Sequence, residues 1–115
     1  MKMEIAKCSP QREVIKMKYE IWQLPVSHPN KYMHLDWCKK TVDILDYVMV
    51  YFGITNEDDD ILETLFYIHN EEPPADYHAA SMSVSDIICL IDDVGKRTWW
   101  YVDGIGFKEI TDIKY

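Results

Sequence analysis

The sequence predicts an α+β domain, with a mostly antiparallel sheet of about five or six short strands and one main helix packed on it. Three observations lead to this prediction. Several segments of strand length are apolar or alternate between apolar and polar residues, one segment has apolar residues at helical spacing, and a short turn joins two late apolar segments. The 115 residues are enough for one domain with a buried core.

Three strands are predicted in the first half of the chain. EVIKMKYEIWQL alternates from Ile15, which is typical of a half-buried strand, and Pro25 ends it. YMHLDW is predicted to be a short second strand. YVMVYFGI is rich in β-branched and aromatic residues and is predicted to be a buried strand that ends at Gly53. Between them DWCKKTVDIL is ambiguous, since Asp36 could cap one or two helical turns before Asp46.

The predicted helix follows an acidic turn. In DILETLFYIHN the apolar residues recur on one helix face, and Asn70 closes the segment. Asp58, Asp59 and Asp60 fall around the helix start, where carboxylates interact favourably with the helix dipole and can accept hydrogen bonds from free N–H groups.

The C-terminal third predicts an antiparallel hairpin, because the short turn DDVGK separates the apolar strand DIICLI from RTWWYVD. FKEI is a final short strand. Three serines on alternate positions precede the hairpin, and their hydroxyls would share one side if this stretch were extended. The favoured interpretation is structural: Ser85 and Asp86 hydrogen-bond their own backbone and set a turn before the strand.

Trp99 and Trp100 are adjacent in a predicted strand and therefore face opposite sides of the sheet. One is expected in the core. The other is expected on the side without the helix or at an edge, where an exposed tryptophan is a typical interface anchor. The alternative is that both are covered.

Charge is unevenly distributed along the chain, whose net charge is -8. Residues 41–95 hold 13 acidic residues and no Lys or Arg, whereas the other 60 residues hold 12 basic and 7 acidic residues, a sum of +5. Such a middle segment disfavours direct nucleic-acid binding, because phosphate repels carboxylate. It favours a basic protein partner instead.

The sequence indicates neither a membrane span nor an enzyme. No apolar run reaches the ~18 residues of a membrane span, and three cysteines without a C-x-x-C pair favour a reducing cytoplasm. A Ser/His/Asp set could be drawn from His78, Ser81 or Ser83, and Asp86, but no nucleophile elbow is present. The acids of NEDDD are contiguous rather than alternate, unlike a Ca²⁺ loop. We therefore expect no catalytic residue, metal or cofactor.

Several segments, in order, resemble the YodL-like family: MKYEIWQL, YMHLDW, YVMVYFGI, LETLFYIHN, SMSVSDIICL and WYVDGIGFKEI. The family typically shows an S-L-S-V-S-D-V segment followed by Y-V-D-x-x-G-F. The resemblance spans residues 17–110. The residues that carry it are Ser81, Ser83, Val84, Ser85, Asp86, Tyr101, Val102, Asp103, Gly106 and Phe107.

The resemblance implies a small non-enzymatic protein of bacterial conjugative and phage-like mobile elements, acting in the cytoplasm of the bacterial host. Relatives tend to begin near Met17, so residues 1–16 are predicted to be an extension or part of the first strand region, and residues 17–115 the YodL-like domain. The family often has a glycine and a basic residue before the first serine. Ala79 and Ala80 stand there in this chain, so any role of that basic residue is absent.

Two hypotheses for function follow. The preferred one is an anti-defence inhibitor, anti-CRISPR or antirestriction, whose acidic surface mimics nucleic acid in the basic groove of a host nuclease or effector. It requires one exposed, contiguous negative surface, carried by Glu57, Asp58, Asp59, Asp60, Glu63, Glu71, Glu72 and Asp76. The alternative, implied by the resemblance, is a regulator of a host structural protein such as the actin-like MreB cytoskeleton, acting through an aromatic patch at Trp99 or Trp100.

Overall fold

The structure is a computed structural model that describes residues 16–56 and 58–113. Its elements are strands β1 to β5, helix α1 and two short 3-10 helices. The strands are β1 Lys16–Gln23, β2 Val48–Asn56, β3 Ile87–Ile91, β4 Arg97–Val102 and β5 Phe107–Ile110, and α1 is Ile61–Glu71. The five strands form one sheet in the order β2-β1-β3-β4-β5, with every neighbouring pair antiparallel. The predicted fold class is confirmed.

Helix α1 covers one face of the sheet. Leu65 of α1 is buried against the side chains that β1 and β3 direct to this face, which follow the two-residue period of a strand. The buried residues of this helix-side core are Tyr19, Ile21, Leu65, Tyr77, Met82, Ile88, Leu90 and Val102.

The loop segment 24–47 covers the opposite face. Its apolar residues pack on the alternate side chains of β3 and β4, which gives a second core of Leu24, Val42, Ile44, Tyr47, Ile87, Cys89, Ile91, Trp99, Tyr101, Ile110 and Ile113. Strand β3 is therefore buried on both faces, which explains why DIICLI is a continuous apolar run rather than an alternating one.

The prediction of a strand at YMHLDW is wrong. Leu35–Trp37 is a 3-10 helix, and Lys31 and Tyr32 lie in a turn in which Tyr32 has a φ of 66°. A second 3-10 helix spans Ile44–Asp46, where the Asp43 side chain accepts a hydrogen bond from the Leu45 N–H. The ambiguous segment thus ends in a short helical turn that Asp43 caps, and Asp36 lies inside the first of the two turns.

Strand β2 exists as predicted, but it continues past Gly53 to Asn56, and the prediction that it is buried is wrong. It is the outermost strand of the sheet and most of its side chains are exposed or half-buried. The reason is its position at one end of the strand order. Neither α1 nor the loop segment 24–47 covers its β-branched and aromatic side chains fully.

The remaining elements follow the sequence closely. The β3–β4 hairpin turns at residues 92–96, where the Asp92 carboxylate accepts hydrogen bonds from the N–H groups of Val94 and Lys96. Gly95 has a φ of 86°, a conformation that side chains disfavour. Ile15 and the rest of the predicted extension before Lys16 lie outside the described residues. Within the described part of the chain, no helix is long and apolar enough to cross a membrane.

Candidate functional site

The predicted acidic residues gather at both ends and along the outer side of α1. Asp60 is the N-cap residue of the helix, and Asp58 accepts a hydrogen bond from the Asp60 N–H at 2.9 Å. Asp58, Asp59 and Asp60 are exposed, so three carboxylates stand at the positive end of the helix dipole. Their predicted position at the helix start is confirmed.

A line of exposed side chains continues along the helix. Glu63, Tyr67 and Glu71 are four residues apart, which places them on one side of α1, and all three are exposed. Glu72 and Asp76 follow the helix end and are exposed as well. We call the surface formed by Asp58, Asp59, Asp60, Glu63, Glu71, Glu72 and Asp76 the acidic helix face; Glu57 lies outside the described residues.

In the part of the chain that the structure describes, the ion pairs involve none of the carboxylates of the acidic helix face. Within residues 16–56 and 58–113, the paired basic residues contact other carboxylates: Lys31 with Asp86, Lys40 with Asp46, Arg97 with Glu20, and Lys108 with Asp103 and Asp36. None of the seven carboxylates of the acidic helix face has a Lys or Arg partner among the described residues. Each of these carboxylates is exposed, and among the described residues none has its charge neutralised by a Lys or Arg.

A cluster of aromatic residues fixes α1 to the sheet beneath this face. The ring of His69 is buried between Tyr19, Tyr51 and Tyr77, and its Nε2 lies 2.8 Å from the Tyr19 hydroxyl. Burial lowers the pKa of His69 and so favours the neutral ring, while the charge of Asp76 acts in the opposite direction. The Tyr51 hydroxyl donates to the Asp76 carboxylate at 2.9 Å, which holds one acid of the face in place.

The two adjacent tryptophans lie on opposite faces, as their spacing predicts. Trp99 is 5% exposed and belongs to the loop-side core, where its ring lies 5.9 Å from that of Trp22. Trp100 is half-buried and packs on the helix side, with its indole N–H donating to the Thr98 hydroxyl. The less buried tryptophan thus lies on the side of α1 and not on the side without a helix.

The serine-rich motif forms a buried polar cluster at the end of β3. Asp86 is fully buried, and its Oδ2 accepts hydrogen bonds from the Ser83 N–H and from Gln23 Nε2. Lys31, whose side chain is 6% exposed, places its Nζ 3.7 Å from Asp86 Oδ1. Burial raises the pKa of Asp86 to about 6, while the hydrogen bond from Ser83 and the charge of Lys31 act in the opposite direction.

Ser85 joins the same cluster to the loop segment 24–47. Its hydroxyl accepts a hydrogen bond from the Tyr32 N–H, and its carbonyl accepts one from the Tyr47 hydroxyl at 2.7 Å. Ser85 has a φ of 87°, so the turn before β3 is tight and left-handed at this residue. The three serines do not share one environment, because Ser81 is exposed and Ser85 is fully buried.

The second motif, YVDGIGF, holds the other part of the loop segment. The Asp103 carboxylate accepts hydrogen bonds from the N–H groups of Leu35 and Gly104. The Nζ atom of Lys108 lies 3.2 Å from Asp103 Oδ2. The Tyr101 hydroxyl donates to the Met33 carbonyl at 2.8 Å. Both motifs therefore attach the loop segment to the sheet, through the buried residues Ser85, Asp86, Tyr101 and Asp103.

The alternative chemistries have little geometric support. Asp86, the predicted acid of a Ser/His/Asp set, bonds to Ser83 through that residue's backbone N–H and not through its hydroxyl, and His78 is exposed. Among the described residues, no three His, Cys, Asp or Glu side chains are grouped so that they could hold a metal ion. The acids at the start of α1 point into solvent as separate groups.

The sequence analysis did not identify Lys31, Gln23 or Asn30 as partners of the motifs and the loop. Asn30 is buried and its amide oxygen accepts from the N–H groups of Lys39 and Lys40. These residues are distant in sequence from the motifs, and only the position of Asn30 between a loop proline and a lysine gave a local signal, that of a turn.

Fold and site together define a small α+β domain with a loop segment attached to one side of its sheet and the exposed acidic helix face on the other side. Comparison with protein families gives a match to the YodL-like domain over residues 18–113. The chain therefore belongs to the YodL-like family, which confirms the resemblance of its two motifs. Searches of curated proteins and of solved structures gave no match.

Proposed function

We propose that this protein is a non-enzymatic inhibitor, carried by a bacterial mobile element or phage, that binds the basic groove of a host nuclease or nucleic-acid-binding effector. In this role it is an anti-defence protein, either an anti-CRISPR or an antirestriction protein, acting in the host cytoplasm. The observation that carries the proposal is the acidic helix face, whose seven carboxylates have no Lys or Arg partner among the described residues.

The size of this face suits a groove that holds nucleic acid. The 11 residues of α1 give a helix of about 16 Å, since each residue adds ~1.5 Å. Carboxylates stand before, along and after this length. A nucleic-acid strand in a duplex places one phosphate per ~3.4 Å of helix axis, so the face covers the axial length of roughly five phosphates. The acids can therefore take the positions of phosphates in a basic groove.

The attachment of α1 supports the same proposal. Leu65 and His69 are buried beneath the helix, and the aromatic cluster around His69 contacts both β1 and β2. A rigid acidic surface loses little conformational entropy when it binds, so more of the electrostatic attraction remains as affinity.

The first experiment identifies the partner and tests its electrostatic character together. The full chain is used to capture proteins from a host lysate at low and at high salt, and the captured proteins are identified by mass spectrometry. We expect a basic nuclease or effector that is retained at low salt and lost at high salt, because contacts between exposed charges are screened. A partner that is retained equally at both salt concentrations would contradict the groove-blocking mechanism.

The second experiment tests the acidic helix face with a matched control. In the reversal variant, Asp58, Asp59 and Asp60 are changed to Lys. In the control, three exposed acids elsewhere, Asp93, Glu109 and Asp112, are changed to Lys, so that both variants have the same net charge. Affinity for the captured protein should fall by about 100-fold in the reversal variant and by less than about fivefold in the control.

The reversal variant, together with Trp100→Ala, distinguishes the inhibitor from the cytoskeletal alternative. If the protein acts on the MreB filament through an aromatic patch, overexpression should alter cell shape, and Trp100→Ala should remove this effect while the reversal variant retains it. Trp100 is the informative position because Trp99 is buried in the loop-side core. A shape change that depends on Trp100 alone would favour the alternative over the inhibitor.

A further inference from the structure

Among the residues that the structure describes, the outer edge of β2 is the least protected part of the sheet. Val48–Asn56 is nine residues long, and in the described part of the chain it pairs with β1 only. Exposed edge strands are commonly protected against further pairing by charged residues, prolines or short length. β2 contains no charged residue and no proline. Its backbone N–H and C=O groups on the outer side are thus arranged to accept another strand.

The side chains of β2 are also exposed to an unusual degree. Val48 is 60%, Phe52 46% and Ile54 62% exposed. Phe52 and Ile54 lie on the sheet face opposite α1, because they pair with Glu20 and Lys18 and share their side of the strand ladder. The loop segment 24–47 leaves these two side chains uncovered.

Phe52 and Ile54 form an apolar strip on this face of β2, and a cleft lies next to it. It has a volume of about 760 Å³, and its walls combine the apolar side chains of Met17, Ile54 and Ile91 with the turn at Gly95 and the charged residues Lys16, Lys18, Asp92 and Asp93. An apolar side chain two residues along an added strand would lie over Ile54 or enter this cleft, since alternate residues of a strand point to one face. The strip and the cleft together fit an extended segment with apolar residues at alternate positions.

Charge at the two ends of β2 identifies the kind of segment. Asp43 precedes the strand and the Asp58–Asp60 group follows it, whereas Asp46, which also precedes the strand, is already paired with Lys40 and His28. If two copies of β2 paired antiparallel, the acids after one strand would approach the acids before the other, which disfavours a dimer. A segment with Lys or Arg at its ends meets opposite charge at both ends instead.

We propose that the outer edge of β2 is a strand-addition site for an extended segment of a basic partner protein, apolar at alternate positions and flanked by Lys or Arg. Backbone hydrogen bonds supply affinity in this binding mode, and the side chains over Phe52 and Ile54 supply selectivity. The inference rests on the proposed function for the basic character of the partner, because the Asp58–Asp60 group belongs to both surfaces, whereas the backbone edge of β2 and the side chains of Phe52 and Ile54 lie outside the acidic helix face.

The test uses the full-length chain and a synthetic probe peptide in which Val and Thr alternate between pairs of terminal lysines. Binding is followed by NMR chemical shifts and by amide hydrogen exchange. We expect the peptide to slow exchange of the outward-facing amides of β2. The same peptide with alternate backbone nitrogens methylated should not bind, because it cannot complete the ladder of hydrogen bonds. A peptide with terminal glutamates should bind about tenfold more weakly.

Two variants with equal charge changes locate the site. The double substitution Phe52→Lys and Ile54→Lys should weaken peptide binding by more than about tenfold, by removing the apolar strip and adding like charge. Ile105→Lys and Val94→Lys together change two other exposed apolar residues by the same charge and should leave affinity within about twofold.

Several results would overturn the inference. They are equal binding of the methylated peptide, the absence of exchange protection in β2, protection of the outer edge already in the free chain, and concentration-dependent dimerisation that the Phe52 and Ile54 substitutions abolish. The two proposals fail separately. If reversal of Asp58, Asp59 and Asp60 abolishes host-protein binding but the peptide leaves β2 unprotected, the inhibitor proposal stands and strand addition is rejected. If the peptide binds β2 but host-protein binding survives the reversal of Asp58, Asp59 and Asp60, strand addition stands and the inhibitor proposal is rejected.

Discussion

The loop-covered and helix-covered sides of the sheet differ in how they treat charge. Where the loop segment 24–47 meets the sheet, carboxylates are buried and held by several partners, as Asp86 is by Lys31 and Gln23. On the helix side, the carboxylates of the acidic helix face are exposed and lack basic partners among the described residues. A buried charge is tolerated only with such partners, whereas an exposed one needs none.

This difference separates residues that maintain the structure from residues available for contact. The YodL-like motifs are the most recognisable part of the sequence. Their residues Ser85, Asp86 and Asp103 hydrogen-bond within the protein where the loop segment 24–47 meets the sheet. Substitutions there should act on stability. Substitutions on the acidic helix face should act on binding and leave the free energy of unfolding nearly unchanged.

The largest effect is expected for Asp86→Ala. The substitution removes the acceptor for the Ser83 N–H and for Gln23, and it leaves the buried ammonium group of Lys31 without its counter-charge. The free energy of unfolding should fall by about 3–5 kcal/mol, measured by urea denaturation at pH 7. The matched control is Asp93→Ala at an exposed turn position, which should change it by less than about 0.5 kcal/mol. Equal losses in both variants would remove the distinction between the two sides.

The burial of Asp86 also predicts that the free energy of unfolding depends on pH between pH 4 and 6. Burial raises the pKa of Asp86 from 3.8 to about 6, so the folded chain binds this proton more tightly than the unfolded chain. The resulting stabilisation is fully present below pH 4 and is lost as the pH rises through 6, a change on the order of 3 kcal/mol.

Asp86→Asn isolates this contribution, because its side chain does not titrate. Urea denaturation of both proteins at several pH values between 4 and 7 gives the difference in stability, wild type minus variant, which should decrease as the pH rises. Asp46 and Asp103 have lowered pKa values, and their contribution changes below pH 4 and with the opposite sign. A difference that stays constant from pH 4 to 6 would contradict the raised pKa of Asp86.

A smaller effect is expected at the contact between α1 and the sheet. Tyr19→Phe removes the hydroxyl that lies 2.8 Å from His69 Nε2, and His69 Nδ1 already lacks a hydrogen-bond partner among the described residues. Because the substitution leaves Nε2 of the buried His69 ring without its hydrogen bond, the free energy of unfolding should fall by about 1–3 kcal/mol. Tyr67→Phe, at an exposed position of the same helix, is the control and should have no measurable effect. A loss below about 0.5 kcal/mol for Tyr19→Phe would show that the hydroxyl does not hold the helix.

The elements that the sequence predicted correctly depend on local information. The β3–β4 hairpin needs only its short turn, and α1 needs only apolar spacing and acids at its start. The wrong prediction at YMHLDW has a long-range cause: Tyr32 and Leu35 donate their N–H groups to Ser85 and Asp103, which are 53 and 68 residues away. No local pattern contains those partners.

The candidate site shows the same limit. Helical spacing was enough to place the acids along α1, and strand alternation was enough to place Trp99 and Trp100 on opposite faces. Which tryptophan is buried depends on the loop segment that covers the Trp99 side, and the exposure of β2 depends on its outermost position in the sheet. Both are properties of the strand order, which the residues of a single segment do not determine.

The smallest effect on stability, together with the largest effect on binding, is expected for the joint change of Asp58, Asp59 and Asp60 to Asn. These carboxylates are exposed, so their favourable interaction with the helix dipole is partly offset by their mutual repulsion, and the free energy of unfolding should change by less than about 1 kcal/mol. Binding to the captured host protein should nevertheless fall by at least about tenfold and become less sensitive to salt. Urea denaturation and a salt series of binding measurements on the same preparation give both quantities. A large loss of stability would place these acids with the structural residues of the loop-covered side, and unchanged binding would remove the acidic helix face from the contact.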